Sequence, residues 1–228
     1  MAHTILVIDD EPQIRRLVRN AFSSHDTEVI EASNAADGVD EAAARRPSLI
    51  VLDLGLPDGD GKQVCREIRA FTDVPIIVLS ARHQESEKVA LLDAGADDYM
   101  TKPFSTEELK ARARAQLRRV SRASPRKESV MKVSDVVIDL GSRSVTKAGR
   151  EIHLTPTEWD LLRSLVSHAD QTLTHRQLYV DVWGSTYGDA QQYLRVYVSQ
   201  LRRKLETDPL RPRMIRTEPG VGYRFVTG

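Results

Sequence analysis

The stretch Leu49–Gly61, LIVLDLGLPDGDG, constrains the chain more than any other. Four apolar residues, Leu49 to Leu52, run without interruption into one carboxylate, Asp53, and a loop of Gly, Pro and Asp follows at once. A continuous apolar run bounded by turn residues is the pattern of a strand covered on both faces in a parallel sheet. In open α/β sheets, ligands and chemistry collect just beyond the carboxyl ends of such strands. An aspartate placed there is either a turn starter or a functional group, and its partners elsewhere in the chain bear on the choice.

The flanking segments repeat the pattern. Thr4–Ile8 is a short apolar strand that runs into Asp9-Asp10-Glu11, and Pro12 then opens a helix, its fixed φ suiting a first turn. Ile14, Leu17, Val18 and Phe22 make one face of that helix. Glu28–Glu31 reads as a second strand and Ala35–Arg46 as an Ala-rich helix closed by Pro47. A helix from Gly61 to Ala70 turns Val64, Cys65 and Ile68 inward. Pro75–Ser80 is a fourth strand, Glu85–Ala94 a helix, Asp98–Thr101 a fifth strand, and Lys102-Pro103 leads into a helix from Ser105 to Arg119. Five β-α units in succession demand a parallel sheet with helices on both faces. The flavodoxin-like strand order 2-1-3-4-5 has its switch point between strands 1 and 3. That order brings Asp9, Asp10 and Asp53 to one pocket.

Ser121–Ser129, SRASPRKES, is polar and aperiodic and reads as a linker. Beyond it, residues 130–228 show strands followed by helices. Lys132–Leu140, Ser144–Lys147 and Glu151–Leu154 read as strands with turns at Gly141 and Gly149. Thr155-Pro156-Thr157-Glu158 is a capping box that starts a helix. A second helix follows Thr174 with Gln177 in the matching place, and a third runs from Asp189 to Glu206. Met214–Arg216, a turn at Pro219-Gly220 and Gly222–Val226 form a closing hairpin. Three helices and a terminal hairpin make an α+β winged helix-turn-helix. Charge supports two domains. Of 33 basic and 33 acidic residues, residues 1–120 hold 16 and 21, a net of −5, and residues 121–228 hold the remaining 17 and 12, a net of +5. An acidic half joined to a basic half implies different partners, the basic one suited to a polyanion. Cys65 is the only cysteine, which excludes an intrachain disulfide and fits a reducing compartment. No signal-peptide pattern is present, and no apolar run approaches the roughly 20 residues of a membrane helix. A soluble cytoplasmic protein with no membrane partner is the expectation.

Three carboxylates within a few ångströms repel, and a cation among them relieves the repulsion. Oxygen ligands from a few acids, with the other positions left to water, suit Mg²⁺. Asp53 can then act as a nucleophile toward phosphorus, in a transfer that needs charge neutralisation and in-line placement above all. Lys102 offers a second cation and Ser80 a hydroxyl donor. Taken singly, Lys102-Pro103 is a helix-start turn, Ser80 a helix cap, and Asp9-Asp10 a cap for the helix they precede. Together they fall at the carboxyl ends of strands 1, 3, 4 and 5, which favours the functional reading.

VIDDE, VLDLGLPDGDG, VLSAR and GADDYMTKPF resemble the receiver domain of two-component response regulators, across the first 120 residues. That resemblance implies Asp53 as phosphoacceptor, served by a sensor histidine kinase. It implies Mg²⁺ held by Asp9, Asp10, Asp53 and the carbonyl of Gly55, with Lys102 on the phosphoryl group and Ser80 and Tyr99 as a switch pair. At the position of Ser80 the family more often carries Thr.

In the basic half, Leu194, Val198, Leu201 and Leu205 form a buried stripe on the last helix. Arg195, Ser199, Arg202 and Glu206 lie on a neighbouring row, with Arg203 and Lys204 close by. A basic helix before a hairpin sits where a recognition helix would, its exposed side chains in the major groove of double-stranded DNA. Arg216, Thr217 and Arg224 on the hairpin could reach phosphate or a minor groove. LTPTEWDLL, LTHRQLYVDVWG, LRVYVSQLRRKLE and GVGYRF resemble the winged-helix domain of the OmpR/PhoB class. DPLRPRMIRTEPGVGYRF further resembles the members of that class that regulate potassium-uptake operons. The class implies a homodimer formed on phosphorylation through the fourth helix, fifth strand and fifth helix of the receiver. Lys88, Asp97 and Asp98 would meet Glu108, Arg112 and Arg114 there, with RNA polymerase a further partner. Two rival readings are a Mg²⁺-dependent phosphatase or phosphotransferase and a regulator that binds DNA without phosphorylation.

Overall fold

Apolar runs that end in charged residues lie side by side. The structure is a computed structural model that describes residues 3–23, 27–81, 85–121, 130–184 and 190–228. It divides into two units, Met1–Val120 and Ser121–Gly228. The first contains β1 (His3–Ile8), α1 (Pro12–Phe22), β2 (Thr27–Ala32), α2 (Ala35–Arg45), β3 (Leu49–Asp53), the two-residue strands β4 (Gly55–Leu56) and β5 (Gly59–Asp60), α3 (Gly61–Arg69), β6 (Ile76–Ser80), α4 (Glu85–Asp93), β7 (Asp98–Thr101) and α5 (Thr106–Ser121). The five main strands pair in the order β2-β1-β3-β6-β7, all parallel. This is the flavodoxin-like order.

Register places the chemistry. Ile8 pairs with Leu52, Asp53 with Leu79, and Ser80 with Thr101. Asp9, Asp53, Ser80 and Lys102 therefore stand along one rim of the sheet. Ile5–Ile8, Leu49–Leu52 and Ile76–Leu79 are fully enclosed, and each such side chain contributes about 1.5–3 kcal/mol on burial. Ile5, Val7, Leu49, Val51, Ile77 and Leu79 pack with Val18 of α1 and with Leu109 and Ala113 of α5. Their neighbours along each strand point to the opposite face. There Gly38 of α2 approaches Ile8 so closely that a Cβ would lie 2.7 Å from its side chain.

The loop after β3 is tied down by its own acids. Asp60 caps α3 by accepting from the Lys62 amide, at 2.9 Å. Asp58 accepts from the amides of Ala35 and Ala36, at 2.7 and 3.1 Å, and so fastens the loop to the start of α2. A Cβ on Gly61 would lie 2.5 Å from the Asp53 carbonyl oxygen, so only glycine lets α3 begin this close to β3. At the other end of the unit, an Ala- and Arg-rich segment favours helix. It carries α5 on to Ser121, the first residue of the linker read from the sequence; residues 122–129 lie outside the described residues.

The second unit opens with β8 (Val130–Val133), β9 (Val136–Asp139), β10 (Ser144–Lys147) and β11 (Arg150–Glu151), an antiparallel sheet in the order β11-β10-β9-β8. The single strand expected over Lys132–Leu140 is two. Ser134 adopts a left-handed φ of 55° and reverses the chain at Ser134-Asp135, a pair of residues suited to turns. The strand expected over Glu151–Leu154 stops at Glu151. Then come α6 (Pro156–Ser167), β12 (Thr172–Thr174), α7 (His175–Trp183), α8 (Ala190–Leu205), β13 (Ile215–Glu218) and β14 (Gly222–Phe225). Both capping boxes form, Thr155 with Glu158 and Thr174 with Gln177. Asp189, the expected start of α8, lies outside the described residues. The wing has a third strand that the sequence reading lacks: β12 pairs with β14 in the order β12-β14-β13. A Cβ on Gly222 would fall 1.9 Å from the Leu173 carbonyl oxygen, so this pairing demands glycine. Tyr179 and Trp183 of α7 stack with ring centroids 4.9 Å apart and meet Tyr193 and Tyr197 of α8, which fixes the two helices together.

Cys65 lies fully buried on α3. Burial pushes its thiol up to about 12, and the thiolate is the reactive form. The native protein is expected to resist iodoacetamide at pH 8 and to be alkylated at Cys65 only in denaturant. Mass spectrometry of the two samples checks this, and rapid labelling of the folded chain would contradict it.

Candidate functional site

The rim residues converge. Asp9, Asp10 and Asp53 each present a carboxylate oxygen within 4.8 Å of the others. Asp9 and Asp53 are buried, and Asp10 is exposed. Lys102 Nζ donates to Asp9 Oδ2 and Glu11 Oε1, each at 3.0 Å, and pairs with Asp53 Oδ1 at 2.8 Å. The second oxygen of Asp53 accepts from the Gly55 amide at 2.8 Å. Gly55 thus meets Asp53 through its N–H. The Lys102 amide donates to the Ser80 carbonyl at 2.8 Å, which anchors the β7–α5 turn to the end of β6.

Three carboxylates contact one ammonium, and Asp10 stands beside two of them. Burial pushes the Asp9 carboxyl up, against the lowering effect of its hydrogen bond to Lys102. The hydrogen bond from Lys102 holds Glu11 below the usual glutamate range. Burial disfavours the Lys102 ammonium, yet hydrogen bonds to Asp53, Asp9 and Glu11 outweigh it and hold its pKa above the usual lysine range. The notch keeps an excess of negative charge in a partly enclosed place, the electrostatic setting in which a divalent cation binds through oxygen. Sequence reasoning missed Glu11 as a partner of Lys102. Its place directly after Asp9-Asp10 was the available signal, and it was read only as the last acid of the run that ends the first strand.

Ser80 and Tyr99 are both buried, Ser80 at the end of β6 and Tyr99 on β7 opposite Val78. The charges expected on a pairing face are arranged differently from the sequence expectation. Asp97 is completely buried, bonded to Arg69 and accepting from the Ile76 amide at 3.0 Å, where no second chain can reach it. Asp98 is buried too, and Arg112 Nη1 grips both of its oxygens at 2.8 and 2.9 Å while Nη2 donates to Glu108 Oε1 at 2.9 Å. These charges satisfy one another within the chain. Arg114 is exposed. Lys88 belongs to α4, and its side chain lies outside the described residues.

On α8, Leu194, Val198, Leu201 and Leu205 are buried, and Arg195, Ser199 and Arg203 are exposed. Arg202 and Lys204 are not exposed reading heads. Arg202 Nη2 donates to the Ile215 carbonyl at 2.7 Å and to Thr217 Oγ1 at 2.8 Å, and its guanidinium lies 5.9 Å from the Tyr223 ring. Lys204 Nζ donates to Glu158 Oε2 at 2.6 Å and to the His153 carbonyl at 3.0 Å. The cause is position: both side chains leave α8 toward neighbouring elements that offer hydrogen-bond acceptors. Glu206, one turn beyond Arg202, was read as part of a charged row. It is buried and accepts from the amides of Arg213, Met214 and Ile215 at 3.0, 2.9 and 2.9 Å. The residue that follows α8 thereby holds the backbone leading into β13. On the wing, Arg216 and Thr217 are exposed, Arg216 sits opposite Arg224, and Arg224 pairs with Glu218 at 2.7 Å.

A parallel sheet with an acidic rim, followed by a winged helix, defines a class of switchable DNA-binding proteins. Comparison with known proteins agrees. The model of the response regulator receiver domain matches residues 5–114, and that of the C-terminal domain of transcriptional regulatory proteins matches residues 149–225. The chain is 50% identical over 222 residues to the KDP operon transcriptional regulatory protein KdpE of Escherichia coli, across 97% of this chain and 98% of that protein. It is 46% identical over 221 residues to the transcriptional regulatory protein KdpE of Mycobacterium tuberculosis, again across 97% and 98%. Among solved structures it resembles the response regulator DrrB, a Thermotoga maritima OmpR/PhoB homolog, with a TM-score of 0.54 and 30% identity across 99% of this chain and 100% of that one. The chain belongs to the response-regulator family, with a receiver domain followed by a winged-helix DNA-binding domain that makes it a transcriptional regulator.

Glu206→Ala leaves three backbone donors without their acceptor, at about 1–3 kcal/mol for each buried one. The second unit is expected to lose about 3 kcal/mol or more. Both tryptophans, Trp159 and Trp183, lie in that unit, so denaturant unfolding followed by tryptophan fluorescence reads it alone. A loss under about 1 kcal/mol would show that the wing holds without this anchor.

Proposed function

We propose that the protein is a transcriptional regulator of potassium-uptake genes, switched by phosphoryl transfer from a sensor histidine kinase to Asp53. The observation that carries this reading is the contact of Lys102 Nζ with Asp53, Asp9 and Glu11 at the sheet rim. The gene class is supported by the similarity to the Escherichia coli relative, a regulatory protein of the KDP operon.

In the transfer, a carboxylate oxygen of Asp53 attacks phosphorus, the phosphorus–nitrogen bond of the donor phosphohistidine breaks, and the imidazole leaves with the electron pair. The Gly55 amide and Lys102 orient the Asp53 carboxylate. Lys102 also lies where it can neutralise the incoming phosphoryl oxygens, the main requirement of such a transfer. Asp9, Asp10 and Asp53, with the Gly55 carbonyl, would hold Mg²⁺, and their close oxygens and surplus negative charge fit that ion. When bound, the ion supplies positive charge to the phosphoryl oxygens. Ser80, one residue beyond the β6 partner of Asp53, and the inward Tyr99 form the switch pair that reads the new charge.

The output is a change in pairing and in DNA binding. Phosphorylated receivers form a homodimer that raises the effective concentration of two winged helices on adjacent half-sites. The α4-β7-α5 face carries Glu108 and the exposed Arg114, with Asp98 and Arg112 bracing it from within. Arg195, Ser199 and Arg203 read or grip double-stranded DNA from α8, and Arg216 grips phosphate from the wing. The protein works in the cytoplasm, in keeping with described helices none of which is long and apolar enough to cross a membrane.

Incubation with acetyl phosphate and Mg²⁺ is expected to add one phosphoryl group to the wild type and none to Asp53→Asn, read by intact mass. The phosphorylated form is expected to bind DNA upstream of potassium-uptake genes at least tenfold more tightly in a shift assay. Equal affinity of wild type and Asp53→Asn with the donor present would favour binding independent of phosphorylation. Rapid multiple turnover of the donor without accumulation on Asp53 would favour a phosphatase.

A further inference from the structure

Arg15 lies outside the acidic set and yet holds its backbone. It sits on α1, and its Nη1 donates to the carbonyl oxygen of Asp9 at 2.6 Å and to that of Asp10 at 3.0 Å. Its Nε donates to Glu31 Oε2 at 3.3 Å, from β2, while Arg19 donates to the other oxygen of Glu31 at 2.8 Å. The Arg15 side chain is mostly buried, at 17% exposure. We propose that Arg15 is a positioning residue that fixes the Asp9 and Asp10 peptides so that their carboxylates stay convergent on Asp53 and bind a divalent cation. The proposal rests on the reading of the notch as a cation and phosphoryl site.

The physical need is plain. Asp9, Asp10, Glu11 and Asp53 repel one another around a single ammonium. The strand end between β1 and α1 can relieve that repulsion by rotating its peptides and swinging the side chains apart. Both carbonyls are pinned by one guanidinium nitrogen, and β2 holds that guanidinium from behind through Glu31. The fork geometry of arginine suits such a clamp, since several donors leave one rigid plane. Partners that orient first ligands commonly change metal affinity by tenfold or more when removed.

The sign of the effect separates positioning from simple charge. Arg15 is a cation close to a cation site. By Coulomb interaction alone its loss would tighten the binding of Mg²⁺, whereas loss of a clamp weakens it. The experiment is calorimetric titration of Mg²⁺ alone into the full chain. Arg15→Met is expected to raise the Mg²⁺ dissociation constant about tenfold. Arg19→Met removes a charge on the same Glu31 without touching either carbonyl, and is expected to stay within twofold of wild type. The Mg²⁺ concentration for half-maximal labelling by acetyl phosphate should rise with the dissociation constant, while the rate at saturating Mg²⁺ stays within twofold. Should Arg15→Met fail to fold, Arg15→Lys keeps the charge without the fork and is expected to weaken Mg²⁺ at least threefold. Mg²⁺ binding by the folded Arg15 variant as tight as wild type, or tighter, overturns the proposal. A wild type that binds no Mg²⁺ at all overturns instead the reading of the notch, and this proposal with it.

Discussion

Lys102 Nζ touches carboxylates from two places far apart in the chain, Asp9 and Glu11 at the end of β1 and Asp53 at the end of β3. Such a cluster is unstable as an isolated set of side chains, because four acids and one ammonium leave a large net charge in a half-buried place. It persists because the strands beneath it cannot move. Their residues are completely enclosed and lock the register that puts Asp9 beside Asp53. Core burial thus sustains an electrostatic arrangement that is unfavourable locally. That is the condition a switch requires, since a group that adds or removes charge there acts on a site already under tension.

The second unit solves a different problem with similar means. A winged helix must hold its recognition helix and its wing at one angle, although the loop between them is polar and carries two prolines, Pro209 and Pro212. Buried or half-buried charged groups do this. Glu206 gathers three consecutive backbone amides, and Arg202 takes the carbonyl of the same strand. Lys204 fastens the helix to the start of α6 through Glu158. Charged side chains that look like DNA contacts in the sequence are here the fastening of the scaffold, which leaves Arg195, Ser199 and Arg203 as the outward row on α8.

Much of this was readable in advance. Apolar runs ending in acids, alternating with amphipathic helices, allow few arrangements other than a parallel sheet with its chemistry on one rim. The two capping boxes were equally plain, since Thr155 with Glu158 and Thr174 with Gln177 are signals spanning three residues. Short strands were harder. The turn at Ser134-Asp135 lies within a mostly apolar run, and β12 is three residues with no pattern of its own, formed only because Gly222 lets β14 come close.

Local pattern in the amino-acid order therefore specified the element types, the two-domain division by charge and the convergence of Asp9, Asp10 and Asp53 with Lys102. Which charges face outward was settled by packing. Asp97 and Asp98 look like surface acids in GADDYM, yet Arg69 and Arg112 draw them inside. Arg15 and Glu206 look like ordinary helix charges, yet each ends on backbone groups of another segment. The physical reason is the same throughout. Periodicity tells which side of an element is apolar, but a long charged side chain goes to whichever unpaired partner the folded chain brings within reach, and that partner belongs to a segment distant in sequence.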